Sequence, residues 1–160
     1  METNFNTKRI LGRWLRVGAF ALTLGASAVY AATPVTVYKS PTCGCCGKYV
    51  DYLRDNGFEV TAVNESRMEL VRQRYGITPA DASCHTALVG GYVIEGHVPV
   101  NAIRKLLQEK PAIAGISAPG MPQNSPGMGE MKKGTLTIYA VPKIYAAPKN
   151  EAEPRVFSVE

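Results

Sequence analysis

Three of the chain's four cysteines fall within four residues, Cys43-Gly44-Cys45-Cys46. They follow an apolar, strand-like run, Val35-Thr36-Val37-Tyr38, and precede a helical pattern through Tyr49, Val50, Tyr52 and Leu53. The turn Lys39-Ser40-Pro41-Thr42 separates strand from cluster, so the thiols open a helix. A helix N-terminus presents free N–H groups and a partial positive charge, which favours thiolates. Any fold for this chain must therefore run a first strand into a first helix with three acidic, reactive sulfurs at the junction.

The rest of the pattern continues that unit. Asn56-Gly57 stops the first helix, and Phe58 to Val63 alternates as a second strand. Glu65 to Tyr75 has helical spacing through Met68, Leu70 and Val71, ending at Gly76. After a Pro79-containing loop and Cys84-His85, Thr86–Val89 and Tyr92–Ile94 flank Gly90-Gly91 as a β-hairpin. Glu95-Gly96-His97 leads to Pro99 and a helix over Val100–Lys110 with Val100, Ile103, Leu106 and Leu107 on one face. The order strand, helix, strand, helix, hairpin, helix predicts an α/β, thioredoxin-like sandwich whose first βαβ unit is parallel. Beyond it, Ser117–Met131 is a loop rich in Met, Gly and Pro. Thr135–Val141 and Val156–Val159 form a C-terminal strand pair, with a polar stretch at Lys149–Pro154 between them.

Charge matters because it is unevenly placed. Four of the 18 basic residues (Lys8, Arg9, Arg13, Arg16) but only one of the 13 acidic ones fall in the first 16 positions, leaving 14 against 12. The remainder carries no basic stripe, which argues against nucleic-acid binding. The basic start precedes an apolar run, Val17–Ala28, too short to span a bilayer comfortably. Val29-Tyr30-Ala31 fits the small-x-small cleavage rule. This predicts a secretory signal peptide at 1–31, a mature domain at 32–160, a periplasmic location and no stable membrane anchor after cleavage.

In an oxidising compartment four cysteines would ordinarily form two disulfides. Here that is awkward, since rings within Cys43-Gly44-Cys45 or Cys45-Cys46 are very small and strained. A dithiol pair of Cys43 and Cys46 is the redox alternative, but Cys45 is then a spare nucleophile. A single tetrahedral zinc fits poorly, because adjacent Cys45 and Cys46 cannot easily reach one ion together. Several ions bridged by shared sulfurs relieve that constraint. Cu(I) is soft, accepts low coordination and tolerates bridging, so the pattern points to more than one Cu(I) per chain. If the fold expectation holds, the loop before the hairpin carries Cys84 to the cluster as a fourth thiolate, and His97 ends nearby. His85 and His97 are further candidate ligands, as are Met121 and Met128, thioethers on a loop without helical spacing.

At this point the residues resemble a known family. The segments Tyr38–Lys48 around the cysteine cluster, Ser83-Cys84-His85-Thr86-Ala87, Glu95-Gly96-His97-Val98-Pro99, Ala118-Pro119-Gly120-Met121-Pro122 and Ser125-Pro126-Gly127-Met128 are similar to those of the CopG-like periplasmic copper-resistance family. This family is distinct from the DNA-binding repressors of that name. The resemblance implies a thioredoxin-like fold and a cysteine-bridged polynuclear copper site at Cys43, Cys45, Cys46 and Cys84. It also implies a role in periplasmic copper handling, with interconversion of Cu(I) and Cu(II), alongside other copper-handling proteins. On this reading the chain binds metal rather than being an enzyme in the ordinary sense. The competing functions are a thiol–disulfide oxidoreductase using Cys43 and Cys46, and a disulfide-stapled structural domain.

Overall fold

A computed structural model describes residues 32–143 and 155–160, together with Met1. The signal-peptide expectation and the polar Lys149–Pro154 stretch lie outside the described residues. The elements are β1 (Thr33–Lys39), α1 (Gly44–Asp55), β2 (Phe58–Asn64), α2 (Met68–Tyr75), β3 (His85–Val89), β4 (Tyr92–Glu95), α3 (Val100–Glu109), β5 (Gly115–Ser117), β6 (Thr137–Val141) and β7 (Val156–Val159).

The chain is a mixed α/β fold on a seven-stranded sheet in the order β2-β1-β3-β4-β5-β6-β7. β1 pairs parallel with β2 and antiparallel with β3, and β3 and β4 form the expected hairpin. The expected C-terminal pair is present too, as antiparallel β6 and β7. Alternation along the strands divides the core. Val35, Val37, Ala87, Val89 and Ile94 face a cluster with Tyr49, Val50 and Leu53 of α1 and Ile103 and Leu106 of α3. The opposite face carries Leu88, Val93 and Val141, packed with Tyr75 and Ile77 at the end of α2. Burial of these side chains, at about 25 cal/mol per Å² of apolar surface, is the main force holding both helix layers on the sheet.

Two differences from the pattern have local causes. α2 begins at Met68 rather than Glu65, because the Glu65 carboxylate accepts the Arg67 N–H at 2.8 Å and holds a turn there. β5 is a three-residue strand, Gly115-Ile116-Ser117, lacking the length and alternation that mark a strand in sequence. It pairs parallel with β4 and antiparallel with β6, so it joins the C-terminal pair to the main sheet. The next residues, Ala118–Gly120, thereby leave the sheet beside the end of β4.

Gly115 is required for that junction. A Cβ there would overlap the Val93 carbonyl oxygen on β4. Gly115→Ala is therefore expected to cost about 2 kcal/mol or more, read as a lowered urea midpoint at unchanged slope.

Candidate metal centre

The cysteine cluster sits where the pattern placed it. Cys43 is the N-cap of α1, and its sulfur accepts the Cys46 N–H at 3.3 Å. The Cys43 N–H bonds the Ser40 carbonyl at 3.1 Å and closes the preceding turn. Cys43 and Cys46 are joined by a disulfide, while Cys45 and Cys84 are free thiols. Cys45 Sγ lies 3.4 Å from Cys43 Sγ. The Sγ atoms of Cys43, Cys45, Cys46 and Cys84 all lie within 4.8 Å of one another. The fourth cysteine, 38 residues from Cys46 in sequence, is thus brought to the cluster as expected.

Cys84 stands at a bend just before β3, and the bend is held from both sides. The Glu95 carboxylate accepts the Ser83 N–H at 2.7 Å and the Thr86 hydroxyl at 2.6 Å, spanning Cys84-His85. Arg72 donates to the Ser83 carbonyl at 3.2 Å, and the Gly120 N–H bonds the Ala82 carbonyl at 2.9 Å. Glu95 is fully buried, and burial raises its pKa above the usual carboxylate range.

Both histidines turn out to be fully buried, and both face Cys84. His97 Nε2 lies 3.0 Å from Cys84 Sγ and His85 Nδ1 lies 3.4 Å from it. His97 Nδ1 is 2.7 Å from the Pro126 carbonyl, which can only accept, so Nδ1 carries the proton. Burial keeps this imidazole neutral, lowering its pKa, and its Nε2 lone pair points at the sulfur. Burial first, and His97 second, push the His85 pKa down to about 3. The Tyr49 ring packs against both imidazoles, with centroids 4.5 Å from His85 and 5.3 Å from His97, and its hydroxyl donates to the Val98 carbonyl at 2.7 Å. Cys84 lies outside the helix start for which acidic thiols are expected. Burial, followed by the neighbouring Cys45, pushes its pKa up to about 12, so without metal it is a neutral thiol donating to His97.

The Met loop closes over the same end. Pro126 orients His97, and Gly127, at φ +79°, lies flat on the first turn of α1, where a Cβ would come within 2.9 Å of Tyr49 N and 3.2 Å of the Cys45 carbonyl. Met128 follows, half-buried. Met121 and Met131 are exposed, at 57% and 39%. The sequence pattern missed Glu95, the Pro126 carbonyl and Tyr49 as parts of the site. Glu95 reads as an ordinary strand-end charge, a backbone carbonyl leaves no mark in sequence, and Tyr49 looks like core.

The donor chemistry suits a soft metal. Four sulfurs within 4.8 Å of one another, backed by two neutral imidazoles, are a donor set suited to copper or another thiophilic ion. Neutral buried imidazoles also set a pH dependence. An unfolded histidine takes its proton near 6.5 and His85 only near 3, so between those values the unfolded state binds more protons. The His85 contribution to stability is therefore nearly complete at pH 7 and falls as the pH drops. From pH 7 to pH 5 the His85 share of the loss is about 2 kcal/mol. Urea unfolding of the metal-free chain at the two pH values measures it, and His85→Leu should remove that share of the pH dependence.

Comparison with known proteins bears on the same segments. A family model described as a protein of unknown function, DUF411, matches residues 81–128. That segment includes Cys84, His85, His97 and the Met loop through Met128. Two solved structures, forms 1 and 2 of the copper resistance protein CopG, superpose with a TM-score of 0.68 at 31% sequence identity, covering 81% of this chain and 98% of theirs. No curated protein sequence matches.

Proposed function

The chain belongs to the family of the copper resistance protein CopG, and from that premise we propose that it is a periplasmic Cu(I)-binding protein of copper homeostasis. Its cargo is more than one Cu(I) ion, held between the thiolates of Cys43, Cys45, Cys46 and Cys84, with redox exchange between Cu(I) and Cu(II) at the same place. Export by the N-terminal signal segment is part of this proposal.

The observation that carries the reading is the convergence of four sulfurs within 4.8 Å from two separate segments. A redox dithiol needs two sulfurs and a structural staple needs pairs. Neither use requires Cys84 to be brought to Cys45. With the Cys43–Cys46 bond reduced, four thiolates carry four negative charges, which singly charged copper neutralises ion by ion. Low-coordinate Cu(I) accepts two or three bridging sulfurs, so shared sulfurs can hold several ions. Burial of Cys84 makes its proton hard to remove before metal binds. Loading must therefore release that proton, so affinity should rise with pH.

One observation favours a second reading. Cys43 and Cys46 form a disulfide at the start of α1, the position of a redox-active C-x-x-C pair. A thiol–disulfide oxidoreductase would use these two residues alone.

Anaerobic titration of the reduced chain with Cu(I), counting metal per chain, separates the two. The copper reading expects more than one ion bound, and at most one after Cys45→Ser. The oxidoreductase reading expects Cys45→Ser and Cys84→Ser to reduce or oxidise a protein disulfide at near wild-type rate. Zero copper bound, or indifference to Cys45→Ser, overturns the copper reading.

A further inference from the structure

A cleft of about 860 Å³ opens between the end of α2, the Gly90-Gly91 hairpin tip and the end of α3. It is remote from the metal centre. Cys84 and His85 stand where β3 begins, and the hairpin tip lies at the other end of that strand. Along the extended chain, the separation from Cys84 to Gly90 is about 20 Å. We propose that this cleft is a binding site for a small organic anion with an apolar or aromatic body. The site is separate from the copper reading and uses none of the residues assigned to metal.

Three observations carry it. The first is a preformed apolar wall. Tyr75, Tyr92, Leu107 and Ile113 line the cleft and are all half-buried. The backbone behind them is already paired. The Val93 N–H bonds the Ala114 carbonyl at 3.0 Å, and the Ala114 N–H bonds the Val141 carbonyl at 2.9 Å. The Tyr92 hydroxyl donates to the Pro111 carbonyl at 3.0 Å and ties the hairpin to the segment after α3. The hairpin tip adds no side chain to fill the mouth, and a Cβ on Gly91 would meet nothing within 4 Å. Mostly apolar, preformed clefts of roughly 300–1,000 Å³ are the size class that holds small molecules.

The second observation is charge. Arg74, Lys110 and Lys143 line the same cleft, all three exposed, and no Asp or Glu lines it among the described residues. Nor does any of the three cations form a salt bridge among the described residues. An anionic head group would meet these cations while its body lies on the tyrosine and aliphatic walls. A metal cation would be repelled, and a neutral apolar ligand would use only half of the surface offered. A flat membrane surface would meet the cations without entering between the walls.

The third observation is Lys110. It caps α3 in the left-handed conformation, at φ 48°, and is the single non-glycine residue with positive φ among the described residues. Glycine takes this position without steric penalty and would make the same N–H bond to the Leu106 carbonyl, at 3.0 Å here. Capping therefore does not account for a lysine, whereas a cation placed at the cleft does.

The test uses the full, metal-free chain with anilinonaphthalene sulfonate as the fluorescent probe. Phenylnaphthylamine, the same ring system without the sulfonate, is its neutral counterpart. One sulfonate per chain should bind, at least tenfold more tightly than the amine. Its amide NMR shifts should centre on Gly90, Gly91 and Ala114. Arg74→Glu combined with Lys110→Glu should weaken sulfonate binding at least tenfold and leave amine binding unchanged. Lys110→Gly separates binding from folding. It should weaken sulfonate binding severalfold while the urea midpoint stays the same or rises. Equal binding of the two probes, charge reversals without effect, or shifts centred away from the hairpin tip each overturn the proposal. So does a Lys110→Gly chain that is less stable but binds the sulfonate as before.

Discussion

The Glu95 carboxylate, buried between the Ser83 N–H and the Thr86 hydroxyl, is the contact on which the arrangement of the site depends. Burying a carboxylate is expensive, and a strand-end position could be filled by Val or Thr without that cost. Glu95 is offset by two short hydrogen bonds and by nearby Arg72, which lowers its pKa and itself holds the Ser83 carbonyl. The result is a bend gripped on both peptide faces, with Cys84-His85 between the grips. Without it, the bend would keep only the Arg72 and Gly120 contacts on the N-terminal side of Cys84, and the fourth sulfur would be less firmly placed against the other three.

A gradient follows from this placement. At the first turn of α1 the sulfurs of Cys43 and Cys45 are partly exposed, Cys84 is half-buried behind them, and His85 and His97 are fully enclosed with Tyr49. Desolvation acts in the same sense on each titratable group along that line. It holds the Cys84 thiol protonated and the imidazoles neutral, so the metal-free site carries little charge in its interior. On the proposed copper reading, a soft cation would displace the Cys84 proton at a sulfur whose position is already fixed. The Pro126 carbonyl contributes most to that readiness, because it fixes one histidine tautomer from a loop that otherwise looks like a connector.

Much of the architecture was legible because it rests on local rules. The β1-turn-α1 junction, the Gly90-Gly91 hairpin and the amphipathic α3 each follow from spacing and turn chemistry within a dozen residues. β5 was not legible, since a three-residue strand with one apolar side chain gains its identity only from β4 and β6 on either side. The same division runs through the site. Cys43, Cys45 and Cys46 declare themselves by proximity in sequence, and Cys84 by its position before a strand expected to adjoin β1. The orientation of the histidines was not accessible. His85 reaches the sulfur of its own neighbour only because the chain bends at Cys84, and His97 only because Pro126, 29 residues on, turns it.

Cys45 explains why this end of the fold departs from a dithiol site. The Cys43–Cys46 bond leaves Cys45 beside it, with a sulfur 3.4 Å from that of Cys43. In a disulfide exchanger such a neighbour is a liability, because it offers a competing attack on the same bond. Cys84 beside it is a neutral thiol tied to His97, and so is a poor nucleophile. The four sulfurs therefore divide into a pair that can close on itself and a pair that stays open. Reduction opens the first pair and joins it to the second. Oxidation withdraws two sulfurs but leaves Cys45 and Cys84 in place, with two imidazoles at the back of Cys84. On the proposed copper reading, reduction of the Cys43–Cys46 bond is what makes all four sulfurs available, and Cys45, the residue that spoils a simple dithiol, lies beside both pairs.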